Sequence, residues 1–305
     1  MSKGKKVNKL QTTVLRSSKG RKVSDGDVLL VNYYGTLLST GESFDGNFNF
    51  TSFEPPVSNY FSSNGSLVRG PVNSTPFEFV LGSGQVIPGW DRGLKNRRLG
   101  EVVDLKIPAK LAYGDQERPG IPVNSDLRFQ VELLASVPKG KDQAAFPKLS
   151  DINVNVKKLG LDADDLAAVN QMKIGLNGSD RLIGDNTADL LIGLKGNDRL
   201  MGAAGADLLI GGPGKDRFVY VDSDDSPDAK GTRDRILGFE KKDKIHLRAL
   251  ANELQFIGSK KFTGAAGDVR FKKGLLAVDT DGDRAADFAV NLSGITELKP
   301  SNLIL

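Results

Sequence analysis

From Val23 to Val137 apolar and polar residues alternate in short runs broken by Gly, Pro and Asn, the period-two pattern of strands in a mostly antiparallel sheet. Leu127, Phe129, Val131 and Leu133 alternate clearly, as do Phe77, Phe79 and Leu81. One helix is predicted among these strands, over Trp90 to Arg97, because Pro88 and Gly89 stand where a helix can begin. Residues 138–173 change character, opening on KGKDQ, passing Pro147 and including a predicted short helix from Asp162 to Gln171. From residue 174 onward Gly and Asp recur at strict intervals. The expected organisation is an N-terminal tail over 1–22, a domain over 23–137, a linker with a short helix over 138–173, and a second domain over 174–305.

Composition narrows the chemistry. The 305 residues suit two domains, and no apolar run approaches the ~18–20 residues a membrane helix requires. Residues 1–22 hold eight Lys or Arg and no acid, although the whole chain carries only +4. Without aromatic residues this segment reads as a flexible, solvated tail, and no nucleic-acid partner is expected. It lacks the apolar stretch and cleavage site of an N-terminal signal peptide. The absence of cysteine excludes disulfides and thiolate chemistry, and a single histidine excludes paired-histidine zinc motifs. That histidine, His246, lies in a strand-like run and is given no role.

Five segments of the first domain belong together: VNYYGTL at 31–37, ESFDG at 42–46, PFEFVLGSGQVIPGWDRGL at 76–94, GEVVDLKIPAKLAYG at 100–114 and GIPVNSDLRFQVELL at 120–134. In order and spacing they resemble the FKBP-type peptidyl-prolyl cis/trans isomerases. Any one of their aromatic residues would read as ordinary core; the combination is specific. The resemblance implies an α+β domain, an antiparallel sheet wrapped on one short helix, acting on proline-containing polypeptides. It also implies a pocket with Trp90 as floor and Tyr33, Phe44, Phe77, Val86, Ile87, Tyr113 and Phe129 as sides. Ile121 would close one rim and Asp45 would sit beside Tyr33, while the Ile87 backbone N–H and the Tyr113 hydroxyl would donate to substrate carbonyls. Two departures are Asn32, where the family usually has His, and Val123, where a second Pro is common. A larger one is an inserted loop over 46–75 carrying Phe48, Phe50, Phe53, Tyr60 and Phe61. Such a loop can extend a substrate groove, dock on the second domain or cover the site, and the residues do not choose among these.

The second domain is periodic. GLNGSDRLI, GDNTADLLI, GLKGNDRLM, GAAGADLLI and GGPGKDRFV follow one another from Gly175, five units of nine residues without a gap. They resemble the RTX nonapeptide, a calcium-binding repeat that forms a parallel β-roll. Gly permits the tight turn, Asp supplies charge, and the aliphatic residue fills a narrow core. Because two units make one coil, the resemblance implies about three structural Ca²⁺ ions between units two apart. The first is expected on Asp180 and Asp198 with carbonyls of Leu176, Gly178, Gly193 and Lys195. The second falls on Asp189 and Asp207 with those of Asp185, Thr187, Gly202 and Ala204, and the third on Asp198 and Asp216 with those of Leu194, Gly196, Gly211 and Pro213. Asp198 would thus serve two ions.

After the repeats, DRILGFEKKDKIHL at 234–247 and AVDTDGDRAADFAVNLSGI at 277–295 resemble the β-rich cap of serralysin-type modules. DTDGD at 279–283 is read as a hairpin turn in preference to another calcium loop. The chain is therefore expected to be mostly β: an isomerase domain, then a calcium-stabilised β-roll, extracellular or at the cell surface, with type I secretion as the export route suggested by relatives. Two rivals are a calcium-dependent binding or chaperone protein that uses the fold without turnover, and a surface-layer component, which would leave the pocket unexplained.

Overall fold

A computed structural model describes residues 6–48, 76–229 and 231–305 of the chain, so the expectations about residues 49–75 lie outside the described residues. The chain divides into two units between Val154 and Asn155.

The first unit is built on six strands: β1 (Gln11–Arg16), β2 (Val28–Leu37), β3 (Ser43–Gly46), β4 (Phe77–Val80), β5 (Val102–Ile107) and β6 (Leu127–Val137). They form one antiparallel sheet in the order β1-β5-β6-β2-β3, with β4 also paired to β2. The alternation read from the sequence is realised: Leu127, Phe129, Val131 and Leu133 are all buried in one apolar cluster. One short helix, α1 (Pro88–Leu94), packs on β5. Its seat depends on Gly89, where an added Cβ would stand 2.4 Å from Ile107. The helix stops three residues before the predicted Arg97, because Asn96 takes a left-handed conformation with φ 62°.

The tail expectation fails for residues 11–16. They form β1, paired with β5, and Arg16 is buried. The Arg16 guanidinium donates to Glu132 and to the Gly100 carbonyl, and Asn32 donates to the other Glu132 oxygen at 3.0 Å. Asn32, the position where the family usually has His, is thus part of a buried polar link across β1, β6 and β2. Residues beyond 137 also pack here: Ser136 and Ala145 exchange backbone bonds, and Leu149, Ile152 and Val154 are buried.

The second unit opens with α2 (Ala163–Ala167), shorter than predicted and capped by the Asp162 carboxylate on the Asp165 N–H. Thirteen short strands follow: β7 (Gln171–Ile174), β8 (Arg181–Ile183), β9 (Asp189–Ile192), β10 (Arg199–Met201), β11 (Leu208–Ile210), β12 (Arg217–Val219), β13 (Arg235–Ile236), β14 (Lys244–His246), β15 (Gln255–Gly258), β16 (Asp268–Lys272), β17 (Leu275–Asp279), β18 (Phe288–Leu292) and β19 (Leu303–Ile304). Successive strands pass alternately to two parallel stacks, β8-β10-β12-β14-β19 and β7-β9-β11-β13-β18. This is the nine-residue half-coil of a β-roll. Leu182, Leu191, Leu200, Leu209 and Phe218 fill its interior, each fully buried. The second stack continues through β18 into antiparallel β17 and β16, which cap the roll.

Candidate functional site

The aromatic residues of the first unit meet at the inner face of the sheet opposite α1. Trp90, on the helix, is 3% exposed and lies edge-on to four rings: Phe129 at 5.2 Å between centroids, Tyr33 at 5.4 Å, Phe79 at 5.6 Å and Phe77 at 6.1 Å. Phe44 extends the set from β3, edge-on to Phe129 at 5.5 Å. Gly35 makes this contact feasible, since a Cβ there would stand 2.7 Å from Phe129 and 2.9 Å from Phe44. Phe129 and Ile121 are buried, whereas Tyr33, Phe44, Val86, Ile87 and Tyr113 are half-buried and pack on the same cluster. Phe77 is exposed. Trp90 is thus buried while several rings around it stay half-exposed, whereas a closed core would bury them all.

The polar groups stand at the margin. Ile87 occupies the N-cap of α1, and its backbone N–H has no partner among the described residues. Tyr113 follows a short 3-10 turn over Ala109–Leu111, with the Arg118 guanidinium 5.4 Å above its ring. Ile121 is held by a reciprocal backbone pair with Arg118. Burial pushes the Tyr33 hydroxyl well above its ordinary value, and its hydrogen bond to the Asp45 carboxylate and that group's charge push it further. Tyr33 is therefore a neutral phenol with the exposed Asp45 carboxylate beside it. Phe79, not singled out from the sequence, also touches Trp90; its alternation with Phe77 was the available signal. Among the described residues the buried Trp90 Nε1 has no hydrogen-bond partner.

In the second unit the repeated carboxylates form two ladders. The Asp180 N–H donates to Asp198 at 2.8 Å, that of Asp198 to Asp216 at 2.8 Å and that of Asp216 to Asp243 at 3.0 Å. On the other side the Asp189 N–H donates to Asp207 at 2.8 Å and that of Asp207 to Asp234 at 2.9 Å. Among the described residues Asp189, Asp198, Asp207, Asp216 and Asp234 are nearly or fully buried, each with one oxygen outside these ladders, the Gln171 amide standing beside Asp189 and the Tyr220 hydroxyl beside Asp234. Burial, followed by neighbouring carboxylates, raises Asp198 to about 7, Asp216 to about 6 and Asp207 to about 9. Asp189 rises to about 7, burial and the charge of Asp185 outweighing its hydrogen bonds.

Backbone oxygens converge on the same turns. A Cβ at Gly175 would meet the Gly193 carbonyl at 2.6 Å, and one at Gly184 the Gly202 carbonyl at 2.2 Å. Equivalent close approaches involve the carbonyls of Gly178, Thr187, Leu194, Gly196 and Gly211. Those of Lys195 and Pro213 accept from Gly178 and Gly196, and no such approach marks the carbonyls of Leu176, Asp185 and Ala204. Thr187 donates twice to the Asp185 side chain, at 2.7 Å each, which secures the turn that lacks the usual Gly. Orphaned carboxylate oxygens and inward carbonyls form an all-oxygen donor set that suits a hard cation such as Ca²⁺.

Asp234 and Asp243 were missed by the sequence reading, although Asp225, Asp234 and Asp243 continue the nine-residue frame from Asp216. The unit around Asp225 is looped out, so β13 pairs with β11 and β14 with β12 at an offset of 27 residues instead of 18. In the cap, β17 and β18 form the expected antiparallel pair, and Asp279, Asp281 and Asp283 of their connection lie within 4.8 Å of one another.

These values set a pH dependence for the metal-free chain. A carboxylate whose folded value lies above its ordinary 3.8 contributes stability that is full below that value and lost as pH rises through the folded one. In excess chelator, acidification from pH 9 toward 5 should therefore increase the β signal of the roll. With calcium the trend should reverse, since protons compete for the same oxygens. Far-ultraviolet circular dichroism against pH in both buffers measures this; parallel trends would refute it.

Comparison with known proteins agrees with both halves. Residues 19–134 match the family of FKBP-type peptidyl-prolyl cis-trans isomerases, and residues 159–305 match the serralysin C-terminal family of peptidase M10. FK506-binding protein 2B of Rhizopus delemar is 41% identical over 128 residues, 42% of this chain and 50% of that protein. FKBP-type peptidyl-prolyl cis-trans isomerase FkpA of Escherichia coli is 40% identical over 131 residues, 43% of this chain and 39% of that protein. The chain thus spans half or less of the length of these two relatives. FK506-binding protein 2 of Emericella nidulans is 38% identical over 121 residues, 39% of this chain and 73% of that protein. Through its first unit, the chain belongs to the FKBP-type peptidyl-prolyl cis-trans isomerase family.

Proposed function

We propose that the chain catalyses cis/trans isomerisation of X-Pro bonds in polypeptides, and that its second unit is a module folded by about three Ca²⁺ ions and used outside the cell. The observation that carries the first part is the pocket floored by Trp90, with Tyr33, Phe44, Phe129, Val86 and Ile121 around it and free donors at its margin. Amide resonance imposes a rotational barrier of ~18–20 kcal/mol, and no nucleophile is needed to cross it. A twisted amide has lost resonance and dipole, so an apolar site disfavours the planar ground state relative to the transition state. The Ile87 N–H and the Tyr113 hydroxyl hold the flanking carbonyls while the proline ring sits on Trp90.

The full chain should accelerate exchange of an X-Pro peptide with an apolar residue before proline, measured by NMR exchange spectroscopy, equally with calcium and with chelator. No acceleration by a chain shown to be folded would reject the enzyme and leave a binding or chaperone role. Asp45→Ala should lower turnover roughly tenfold, about 1.4 kcal/mol of transition-state stabilisation, with little change in melting temperature. Equal turnover would remove Asp45 from the site.

For the second unit the support is the donor set: ions on Asp180 with Asp198, Asp189 with Asp207, and Asp198 with Asp216, joined by the inward carbonyls. Asp234 and Asp243 prolong both ladders. Export by type I secretion, with surface or extracellular residence, is the reading that fits the serralysin-like C-terminal match. Among the described residues no helix is long and apolar enough to cross a membrane.

A further inference from the structure

The nine-residue frame does not begin at Gly175. Carried back one unit, it falls on residues 166–174, LAAVNQMKI, and β7 keeps the register on β9, with Gln171 opposite Asp189, Met172 opposite Leu190 and Lys173 opposite Leu191. The residue after the repeated Asp alternates Arg, Leu, Arg, Leu, Arg through the five nonapeptides, so one stack bears arginine and the other leucine. Met172, buried, fills the leucine-type place. The other two positions break the motif. Gln171 stands where the ladder has Asp, and Lys173 stands where each nonapeptide has its inward apolar residue. Register partners on parallel strands share a face, so Lys173 heads the interior column of Leu191, Leu209 and Ile236. Lys173 is 6% exposed and Gln171 4%.

A buried cation is costly unless a negative group faces it. Asp189 is that group. It heads the second ladder and is fully buried, and its Oδ1 lacks the rung that the same oxygen of Asp198, Asp207 and Asp216 receives from the N–H eighteen residues before. A metal ion is poorly placed to fill the gap. An ion of this roll takes carbonyls from a tight turn on each of two units, and the turn before Gln171, residues 166–170, has no glycine and begins inside α2. The charge of Lys173 acts there instead. Burial raises the Asp189 carboxyl, and the Asp185 N–H, the Gln171 amide and the Lys173 charge oppose the rise. The head of the first ladder is placed differently, since Asp180 is only half-buried and water can reach it.

We propose that Lys173 is a side-chain substitute for a metal ion at the head of the second ladder, so that the first coil, β7 on β9, closes without calcium and seeds the roll. Gln171, in the place of an Asp, adds no second negative charge, so one ammonium balances one carboxylate. Backbone bonds close this coil at both ends: the Asn170 N–H donates to the Ala188 carbonyl at 2.7 Å and the Gly175 N–H to the Ile192 carbonyl at 2.8 Å. Each later coil brings two carboxylates together and requires the ion, so calcium adds coil by coil from this end. The inference rests on the calcium reading of the second unit and is independent of proline turnover.

The test is hydrogen–deuterium exchange of the full chain, read by mass spectrometry in excess chelator and in millimolar Ca²⁺. In chelator, peptides covering 170–175 and 189–193 should exchange roughly tenfold more slowly than those covering 199–219, and with calcium all should be protected. Lys173→Met keeps the length of the side chain and removes its charge. It should abolish the protection in chelator and raise the calcium midpoint of folding several-fold, whereas a residue that merely filled the column would be improved by an apolar methionine. Lys173→Met/Asp189→Asn should regain protection of 170–175 in chelator, because cation and anion leave together. If Lys173→Met does not fold even in calcium, this double variant still decides. The proposal is overturned if 170–175 exchanges as fast as 199–219 in chelator, if the Lys173→Met midpoint equals or falls below the parent's, or if the double variant is no better protected than Lys173→Met. A roll protected throughout in chelator would overturn the calcium reading itself, and this inference with it.

Discussion

Chelation of calcium should remove most of the β signal of residues 174–305, and millimolar Ca²⁺ should restore it, with Mg²⁺ much less effective. The interior of the roll is one aliphatic or aromatic side chain per half-coil, too little to offset a stack of buried carboxylates that lack counter-ions. Each proposed site offers two carboxylates and four carbonyls in a flexible frame, which suits Ca²⁺ at 2.3–2.6 Å better than Mg²⁺, which demands 2.0–2.1 Å and holds its waters. Extracellular calcium modules bind at ~10⁻⁴–10⁻³ M, so the roll should stay open at cytosolic calcium levels and close at millimolar ones. Asp198→Ala should impair folding more than Asp180→Ala. Asp198 is buried between Asp180 and Asp216 and serves two proposed ions, whereas Asp180 is only half-buried and serves one. Circular dichroism during calcium titration checks all three statements; a roll fully formed in excess chelator, or equal effects of the two substitutions, would count against shared ligands.

Trp90→Ala should destabilise the first unit by ~3–5 kcal/mol, the usual cost of deleting a buried large aromatic ring. Four rings pack edge-on against Trp90, and their surfaces would face a void that α1, pinned on β5 through Gly89, is poorly placed to close. Turnover should fall with it because the floor of the pocket is gone. Trp90→Phe separates the two effects: it keeps an aromatic floor and should retain more activity than Ala at a smaller loss of stability. Denaturant unfolding and exchange rates measured on the same samples decide. A Trp90→Ala chain as stable as the parent would show that the ring is not the keystone of this cluster.

Much of this was legible because the chemistry is carried by short-range signals. Pro88-Gly89 before Trp90 announces a helix start, whereas the floor role of Trp90 was implied only by the family resemblance, and a period of nine needs no knowledge of the fold. Strand β1 was hidden for the opposite reason. QTTVLR is short, flanked by lysines, and draws its stability from β5 some 90 residues away and from the buried link of Arg16 to Glu132. The ends of α1 and α2 were misplaced by three or four residues because a left-handed Asn96 and the entry of Gln171 into β7 are tertiary outcomes. Asp234 and Asp243 kept the frame but had lost most of the glycines that made it visible, Gly238 alone keeping its place five residues before the Asp.

The excluded unit around Asp225 bears on how such modules change length. A single nine-residue duplication reverses the side on which every later unit falls, exchanging arginine-bearing for leucine-bearing faces and breaking both carboxylate ladders. Ejecting that unit as a loop, as happens between β12 and β13, restores the original parity at once. An in-register extension of the roll therefore takes eighteen residues, and the lone extra nonapeptide survives outside the coil but tied to the cap, the buried Ser226 hydroxyl donating to the Ala289 carbonyl and the Ser226 carbonyl accepting from the Ala289 N–H.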